Sequence, residues 1–440
     1  MRSAGLRLLA GSVAFTSFLG STMSLSAPRK VPTNIVVVGG GIQGTSVAYH
    51  LAQKVPGTTK ITILEAKSTA SAASGKGGGF MARSWGDGSP TQRLHELGFD
   101  MYEQLAKELG CESYRKLPVL SVAPGYQGIQ KARDDSRISG VLPKWLDGNV
   151  GRISALGYGD DTAQITPKEF VDKMLEKAGD KIEVVLGTCT GVETEHGSEE
   201  DVRKVVGVKF QPRTEGSSGA QILPADCVIV SAGPWSCAAE DWFQGAVKLP
   251  MEGIKSTSIV WKQPEGVNVD ATALFCGEDS RFGTHLEVYP RPDGSIYICG
   301  IGGSDYITTE ELKKGAFREV CDANEARVEA ARQSFQEMSS LYKKEGELDR
   351  VQACMRPCAP DALPYMGAIP GYEGAFCNCA HNCWGIAWAP ACGLAISELV
   401  LDGKCKSINL DPFDPTRFTP NASRGGRGRK QRDRNVGEQW

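Results

Sequence analysis

"NIVVVGGGIQGTSVAYHLA", residues 34–52, is the stretch that decides the fold. Its β-branched residues predict a strand at 34–38, the three glycines that follow predict a tight turn, and a helical pattern runs from Ile42 to Gln53. A second apolar stretch, "KITILEA" at 60–66, predicts another strand. Strand, glycine turn, helix and strand together form a βαβ unit, so the sequence predicts an α/β domain of the Rossmann type.

The glycine turn has the spacing of a dinucleotide-binding motif. The pattern G-x-G-x-x-G is fitted by Gly39, Gly40, Gly41, Ile42, Gln43 and Gly44. Gly39 would permit the sharp bend, Gly41 would let the backbone approach a pyrophosphate, and Gly44 would let the helix pack on the strand. Ile42 and Gln43 would open the helix, whose free N–H groups and positive end attract phosphates. We therefore expect a dinucleotide site here rather than an ornamental Gly-rich turn.

Glu65 ends the second predicted strand, about 20 residues after the last glycine of the motif. A carboxylate at this place accepts hydrogen bonds from ribose hydroxyls and repels a 2′-phosphate, so the pattern disfavours NADP. The motif by itself does not separate FAD from NAD, and both stay open at this point.

The composition describes a globular chain with a small-molecule partner. The 440 residues carry a net charge of −3 and are 41% hydrophobic, enough for one large or two medium domains. Because the main part of the chain has no basic excess, we expect no nucleic-acid partner for it. The 14 cysteines are scattered, which favours reduced thiols over a disulfide framework. Cys377, Cys379 and Cys383 lack the spacing of a zinc site, so we expect no metal.

The two ends of the chain differ from its middle. Residues 1–32 are basic and free of acidic residues, which predicts a leader for import into an organelle, a mitochondrion or a plastid. The alternatives are a disordered extension, or a start at Met23 that would leave the protein cytoplasmic. Residues 419–440 form a Gly- and Arg-rich tail that we expect to be disordered. No window reaches the ~20 apolar residues that a membrane span needs.

The remainder of the chain is rich in strands. Helical periodicity returns at Gln92–Leu109 and at Arg327–Glu345, and a Pro-Asp-Gly turn predicts a hairpin over 286–300. Further strands are predicted within 181–193, 204–210, 225–236 and 255–261, with polar connections at Gly151–Asp161 and Gln211–Ala220. Many strands after an opening βαβ unit indicate two intermixed domains.

Three further stretches decide between the cofactors. They are "SAASGKGGGF" at 71–80, "VIVSAGPWS" at 228–236, and the block that runs from "RPCAPDALPYMG" to "GLAISELVLDG" at 356–403. In this order, together with the opening stretch, they resemble the D-amino-acid oxidase superfamily, which includes glycine oxidase and sarcosine oxidase. Ala380 stands where the family usually has glycine, which puts the substrate in doubt more than the cofactor. The resemblance implies FAD.

The resemblance also implies an architecture. We expect a Rossmann-type FAD-binding domain, similar to that of glutathione reductase, assembled from residues 33–115, 160–245 and 350–418. A β-rich substrate domain, made of residues 116–159 and 246–349, would be inserted between these segments.

The cofactor contacts that the resemblance implies lie in all three stretches. Beyond the glycine turn and its carboxylate they are Ser74, Gly75, Gly78, Gly79, Ala232, Gly233, His381, Gly385 and Ile386. A helix beginning near Pro390 would aim its N-terminus at the flavin and stabilise negative charge on the reduced ring.

Two side chains just before and within the long block are candidates for chemistry. Arg356 matches the position at which amine-oxidising relatives bind the substrate carboxylate, for which a guanidinium supplies a bidentate fork; the alternative is a salt bridge with Asp361. Cys354 matches the spacing of the cysteine that links covalently to the flavin in monomeric sarcosine oxidase; the alternative is a buried thiol. Tyr289, Arg291 and Trp261 lie on the predicted substrate sheet, where aromatic residues are more often core.

These expectations lead to one functional hypothesis and two alternatives. The resemblance implies an FAD-dependent oxidoreductase that oxidises the C–N bond of a small amino acid or secondary amine by hydride transfer, with oxygen or another electron acceptor. An FAD-dependent 2-hydroxy-acid dehydrogenase would keep the fold. A non-catalytic FAD-containing protein in trafficking or assembly is the other class.

Overall fold

The computed structural model of the protein describes residues 30–197, 201–213 and 219–420. Most of the leader predicted at 1–32 and nearly all of the tail predicted at 419–440 lie outside the described residues. The same holds for residues 214–218 of the predicted connection Gln211–Ala220.

The described residues form two large sheets and one small sheet. The strands are β1 (Asn34–Val38), β2 (Lys60–Glu65), β3 (Phe80–Ala82), β4 (Arg115–Lys116), β5 (Val119–Pro124), β6 (Val150–Gly157), β7 (Thr162–Gln164), β8 (Ile182–His196), β9 (Arg203–Pro212), β10 (Gln221–Pro224), β11 (Cys227–Val230), β12 (Glu252–Trp261), β13 (Ala273–Cys276), β14 (Glu287–Pro290), β15 (Ile296–Cys299), β16 (Asp305–Ile307), β17 (Leu348–Cys358), β18 (Tyr365–Ala368), β19 (Tyr372–Glu373) and β20 (Ala375–Cys379). The α-helices are α1 (Ile42–Ala52), α2 (Ala73–Lys76), α3 (Gln92–Leu109), α4 (Gly128–Asp134), α5 (Pro167–Ala178), α6 (Ala239–Trp242), α7 (Thr309–Lys313), α8 (Glu325–Met338), α9 (Ser340–Glu345) and α10 (Gly385–Asp402).

The first large sheet is built around β1. This strand pairs in parallel with β2 on one side and β11 on the other, within the order β10-β9-β8-β2-β1-β11-β20-β18. Ile35 and Val37 share a core with α1, α3, α5 and α10, whereas Val36 and Val38 face a second core. Burial of both faces is typical of a parallel sheet covered on both sides. The predicted βαβ unit and the α/β class are confirmed.

The second large sheet has the order β16-β12-β15-β14-β13-β5-β6, and β17 also pairs with β12. The predicted hairpin is present as the antiparallel pair β14 and β15. On one face of this sheet, the ring of Trp261 lies 5.7 Å from that of Phe335 in α8 and 5.6 Å from that of Tyr342 in α9. Trp261 is therefore a core residue, and the opposite face is the one that carries Tyr289 and Tyr297.

β17 crosses a boundary that the sequence places elsewhere. It pairs antiparallel with β12 from Leu348 to Cys358, so residues 350–358 belong to the second sheet, although the expected FAD-binding segment begins at 350. The reason is the length of β12, whose ten residues offer hydrogen-bond partners along most of β17. The chain returns to the first sheet at β18.

Two predicted elements differ from the observed ones. The connection predicted at Gly151–Asp161 contains most of β6, a strand at the sheet edge that pairs with β5 and exposes part of one face. The single helix predicted at Arg327–Glu345 is split into α8 and α9. Ser339 is the cause, because its backbone is extended and its side chain accepts a hydrogen bond from the N–H of Tyr342 at 3.4 Å.

The helix α10 begins earlier than the sequence predicts. It starts at Gly385, and Pro390, near which it was expected to start, lies inside it. A proline within a helix leaves the carbonyl four residues earlier without its usual donor. Here the hydroxyl of Tyr102 in α3 donates to that carbonyl, on Ile386, at 2.6 Å. The helix therefore passes through the proline without an unpaired carbonyl.

Among the described residues, one stretch is long and apolar enough to cross a membrane, Asn382–Asp402, which includes α10. Of its most apolar 18-residue window, 61% is buried inside the protein. The helix packs there against α1 and α3, as the core helix of a folded domain does.

The substitution Gly393→Ala tests the close contact between α1 and α10. A Cβ at Gly393 would lie 2.3 Å from Oγ of Ser46 and 2.7 Å from its carbonyl carbon. Because the helices would have to separate, we expect the free energy of unfolding to fall by roughly 1–3 kcal/mol, measured by urea titration. Gly140→Ala, with nothing within 4 Å of the added Cβ, is the control and should change it by less than about 0.5 kcal/mol. Equal results for the two variants would contradict this account of the contact.

Candidate active site

A cavity of about 1190 Å³ opens at the carboxyl ends of β1, β2 and β11 and reaches the second sheet. Sheets with parallel strands bind ligands at this edge. The volume exceeds the roughly 300–1,000 Å³ of ordinary small-molecule pockets. The cavity therefore has room for a dinucleotide and a further small ligand.

The cavity brings together all but two of the predicted site residues. Those that line it are Gly39, Gly41, Ile42, Gln43, Glu65, Ser74, Gly78, Gly79, Ala232, Gly233, Cys354, Arg356, His381, Gly385 and Ile386. Gly44 and Gly75 are not part of the wall. A Cβ at Gly44 would lie 2.0 Å from the carbonyl oxygen of Gly39, and one at Gly75 would lie 2.0 Å from that of Ala70. Both glycines permit the close packing that shapes the wall.

Gly39 and Glu65 give the glycine turn its shape. Gly39 has φ +110°, and a Cβ there would lie 2.5 Å from the carbonyl oxygen of Ser231. The Oε2 of Glu65 accepts a hydrogen bond from the N–H of Gly40 at 2.7 Å. The carboxylate thus lies beside the turn at the end of β2, where a ribose-binding acid is expected.

The loop at residues 71–80 closes over the N-terminus of α1. Oγ of Ser74 accepts a hydrogen bond from the N–H of Ile42 at 2.9 Å. The N-cap residue of α1, Gly41, has no side chain to satisfy the first-turn donors. The positive end of α1 therefore lies at the cavity wall, beside this loop.

The residues at this end of the cavity fit a bound FAD. Oγ of Ser231 is buried and has no hydrogen-bond partner within the described part of the chain, and Ser231 lines the cavity beside Ala232 and Gly233. A buried hydroxyl without a partner costs free energy, which a ligand group can recover by bonding to it. With the N-terminus of α1 and Glu65, it provides groups that suit phosphate and ribose.

A chain of buried polar side chains connects the C-terminal block to the glycine turn. Nε2 of His381 lies 3.1 Å from Oδ1 of Asn378, whose Nδ2 donates to Oε1 of Gln43 at 3.0 Å. Nε2 of Gln43 donates in turn to the carbonyl oxygen of Gly385 at 2.6 Å. Burial lowers the pKa of His381 to about 3, so its ring is neutral and Nε2 carries the proton that Asn378 accepts.

Arg356 faces the cavity from β17 without a counter-charge. Its guanidinium has no hydrogen bond or ion pair among the described residues. Asp361, the salt-bridge partner considered from the sequence, binds Arg417 instead, with Nε–Oδ2 at 2.9 Å and Nη2–Oδ1 at 3.0 Å. The guanidinium of Arg417 also lies 4.0 Å from the ring centroid of Tyr365. The salt-bridge alternative for Arg356 is therefore wrong.

Cys354 also lines the cavity and lies two residues before Arg356 on β17. Burial raises the pKa of its thiol to about 11, while the positive charges of Lys76 and Arg356 act in the opposite direction. A thiol with such a pKa is protonated at neutral pH and is a weak nucleophile. Both alternatives for Cys354, a covalent link to the flavin and a buried thiol, stay open.

The β14–β15 hairpin contributes wall residues that the sequence reasoning missed. Glu287, Tyr297 and Cys299 line the cavity together with Tyr289, which had been considered. Glu287 and Tyr289 are two residues apart on β14, as are Tyr297 and Cys299 on β15, so each pair lies on one face of its strand. This alternation was the signal from which they could have been found.

Aromatic rings cover the wall near the hairpin. The ring of Phe80 stacks on that of Tyr289 at 5.4 Å, and the ring of Trp85 lies 5.0 Å from that of Phe275. Rings packed in this way have few alternative rotamers and make a stiff wall. Arg291, considered from the sequence, does not line the cavity; it is buried and donates to the carbonyl oxygen of Gly77 at 3.3 Å.

Within residues 30–197, 201–213 and 219–420, no three His, Cys, Asp or Glu side chains are grouped in a way that could hold a metal ion. None of the 14 cysteines, which all lie within these described ranges, forms a disulfide bond.

Comparisons with known proteins agree with this geometry. Residues 34–399 match the family described as "DAO: FAD dependent oxidoreductase". A Schizosaccharomyces pombe protein described only as an oxidoreductase is 27% identical over 87% of this chain and 97% of its own length. Glycine oxidase of Pseudomonas putida is 25% identical over 87% of this chain and 98% of its own. L-amino acid deaminase of Proteus myxofaciens, a solved structure, superposes with TM-score 0.68 and 17% identity over 90% of this chain and 95% of its own.

The chain belongs to the DAO family of FAD-dependent oxidoreductases. It is an FAD-dependent enzyme, as the resemblance implied, and the residues described above are the ones available to hold the cofactor.

The substitution His381→Gln tests the buried neutral imidazole through the pH dependence of stability. The folded pKa of His381, about 3, lies below the unfolded value of about 6.5, so in acid the unfolded chain binds a proton that the folded chain does not. The contribution of the neutral imidazole to the free energy of unfolding is fully present above pH ~6.5 and is lost as the pH falls toward 3. Between pH 7 and pH 5 we expect the wild type to lose about 2 kcal/mol more than the variant, measured by urea titration. The same loss in both proteins would contradict a neutral His381.

Acid precipitation tests the state of Cys354. Because the thiol is protonated, we expect the flavin to be released into the supernatant when the FAD-loaded protein is precipitated. The supernatant absorbance measures the released fraction. A yellow pellet from the wild type but not from Cys354→Ser would instead establish a thioether bond at this residue.

Proposed function

We propose that this enzyme oxidises the C–N bond of a small amino acid or secondary amine. The observation that carries the proposal is Arg356, a guanidinium without a counter-charge that faces the same cavity as the residues available to hold FAD. A partly buried cation of this kind is stabilised by an anionic ligand, and its planar fork matches a carboxylate in two hydrogen bonds.

The residues of the chain have separate roles in this reaction. FAD supplies the acceptor of the hydride. Arg356 binds the substrate carboxylate and so fixes the orientation of the neighbouring carbon. The stacked rings of Phe80 and Tyr289 exclude water from one wall. Oxygen or another acceptor would receive the electrons.

The named relatives support an amine substrate. Glycine oxidase of Pseudomonas putida and L-amino acid deaminase of Proteus myxofaciens both act on amino acids by name. The 4-methylaminobutanoate oxidase of Paenarthrobacter nicotinovorans is 33% identical over 91% of this chain, which corresponds to 47% of that protein.

The two alternatives have weaker support. A 2-hydroxy acid would also bind Arg356 through its carboxylate, but it brings no positive charge to Glu287 on the wall of the same cavity. A non-catalytic role would predict a cavity filled by side chains. Here the space beside Arg356 and Cys354 is open.

The substitution Arg356→Gln tests the proposal. Anaerobic mixing of the FAD-loaded protein with glycine, N-methylglycine and larger amino acids should bleach the flavin absorbance with at least one of them. In the variant, we expect the concentration for half-maximal reduction rate to rise by roughly 30-fold or more, because a bidentate charged contact is lost. Arg350→Gln is the control, since Arg350 lies on the same strand but pairs with Asp349 at the surface. Bleaching by 2-hydroxy acids alone, or by no member of the panel, would contradict the proposed function.

A further inference from the structure

A carboxylate lies in the same cavity as Arg356. Glu287 on β14 lines the cavity and is half-buried. Its Oε2 accepts hydrogen bonds from the hydroxyl of Tyr289 and from the thiol of Cys299, the latter at 3.4 Å. The pKa values of both donors are raised well above their usual values, by burial first and by the charge of Glu287 second. Both donors are therefore neutral and leave the negative charge in place.

Neither charged group has a partner of opposite charge. Within the described part of the chain, no Lys, Arg or His nitrogen lies within 4.0 Å of a carboxylate oxygen of Glu287. Arg356 likewise has no carboxylate partner there, and the two do not pair with each other. Lys76, another cation of this wall, donates to the carbonyl oxygen of Ala353 at 2.8 Å.

The two unpaired charges act on the same thiol, that of Cys299. The negative charge of Glu287 raises the pKa of this thiol, after burial, and the positive charge of Arg356 lowers it, so the thiol lies within the field of both. The two residues come from different strands of one sheet, Glu287 opposite Cys299 and Arg356 opposite Ile254. Both side chains line the same cavity.

The hairpin holds Glu287 in a fixed position. Tyr289, which donates to it, is stacked between Phe80 at 5.4 Å and Tyr297 at 6.1 Å. Phe275 lies opposite Glu287 in the strand pairing and packs 5.9 Å from the ring of Tyr289. The carboxylate thus has little freedom to turn away from the cavity or to reach a surface cation.

The part of the cavity lined by Glu287 and Arg356 carries an anion and a cation that are not paired with opposite charges of the protein, and it is complementary to a zwitterion, because each half-buried charge is stabilised by an opposite charge in the ligand. We propose that Glu287 binds the cationic amine of the substrate while Arg356 binds its carboxylate, so that the enzyme selects amino acids over hydroxy acids of the same shape. This assignment rests on the proposed function and identifies Glu287 as the residue that determines the enzyme's specificity for amino acids.

A hydroxy acid would occupy the same space at a cost. Its hydroxyl can donate one hydrogen bond to Glu287 but brings no charge, so the carboxylate stays uncompensated. A buried site that holds an unpaired polar group discriminates strongly against such a ligand. The order of affinity should therefore follow the charge of the amine rather than the size of the ligand.

Matched ligand pairs test the assignment on the FAD-loaded full-length protein. The pairs are glycine with glycolate, and N-methylglycine with methoxyacetate, in which an oxygen replaces the cationic nitrogen. Anaerobic calorimetric titration measures each dissociation constant. In Glu287→Gln we expect the affinity for the amino acid to fall roughly 10- to 100-fold, and that for its uncharged partner to stay within about twofold. Glu265→Gln, an exposed residue of the same domain, is the matched control.

The outcomes separate this inference from the proposed function. An unchanged preference for the amino acid in Glu287→Gln, or an equal loss for both members of a pair, overturns the role of Glu287 even if amino acids still bleach the flavin. Selective binding of amino acids that is lost in the variant supports the role, even if no amino acid bleaches the flavin and the proposed reaction fails.

A second variant covers the case in which Glu287→Gln loses FAD. Glu287→Asp keeps the charge, and we expect it to keep a preference for the cationic member of each pair, at least threefold. Wild-type protein that binds glycolate as tightly as glycine, and methoxyacetate as tightly as N-methylglycine, would overturn the inference without any variant.

Discussion

The contact between Gly44 and the carbonyl of Gly39 is the constraint on which the site depends. A Cβ at Gly44 would lie 2.0 Å from that oxygen, so only glycine lets α1 start directly behind β1. This packing brings the positive end of the helix to the cavity, where Ser74 closes over it. The polar chain from Gln43 through Asn378 to His381 then ties the C-terminal block to the same helix.

The second sheet gives the cavity reactive and charged side chains that the first sheet does not provide. β17 carries Arg356 and Cys354 along β12, and the β14–β15 hairpin carries Glu287. The first sheet thus presents backbone and small residues that suit phosphates, and the second presents charged side chains and aromatic rings. In the proposed function, the first sheet would bind the cofactor and the second would recognise the substrate, and both sheets line one cavity.

Features coded by neighbours in sequence could be predicted, and features made by distant partners could not. The glycine turn and Glu65 could be predicted because the strand, the turn and the helix follow one another directly in the sequence. The pairing of Asp361 with Arg417 was not, because nothing near either residue specifies the other. Glu287 was overlooked because a charged residue on a strand usually faces solvent, and only the position of the sheet shows that its face lines the cavity.

The proline in α10 has a consequence for how the cavity responds to a ligand. Ile386 contributes to the wall of the cavity, while its carbonyl is held by the hydroxyl of Tyr102 in α3. Order at the wall and order in α3 are therefore linked, and the linkage is reciprocal: a ligand that fixes Ile386 also protects α3 from local opening. Binding of a ligand in the cavity therefore affects the local stability of α3, a helix that is partly exposed on the outer surface.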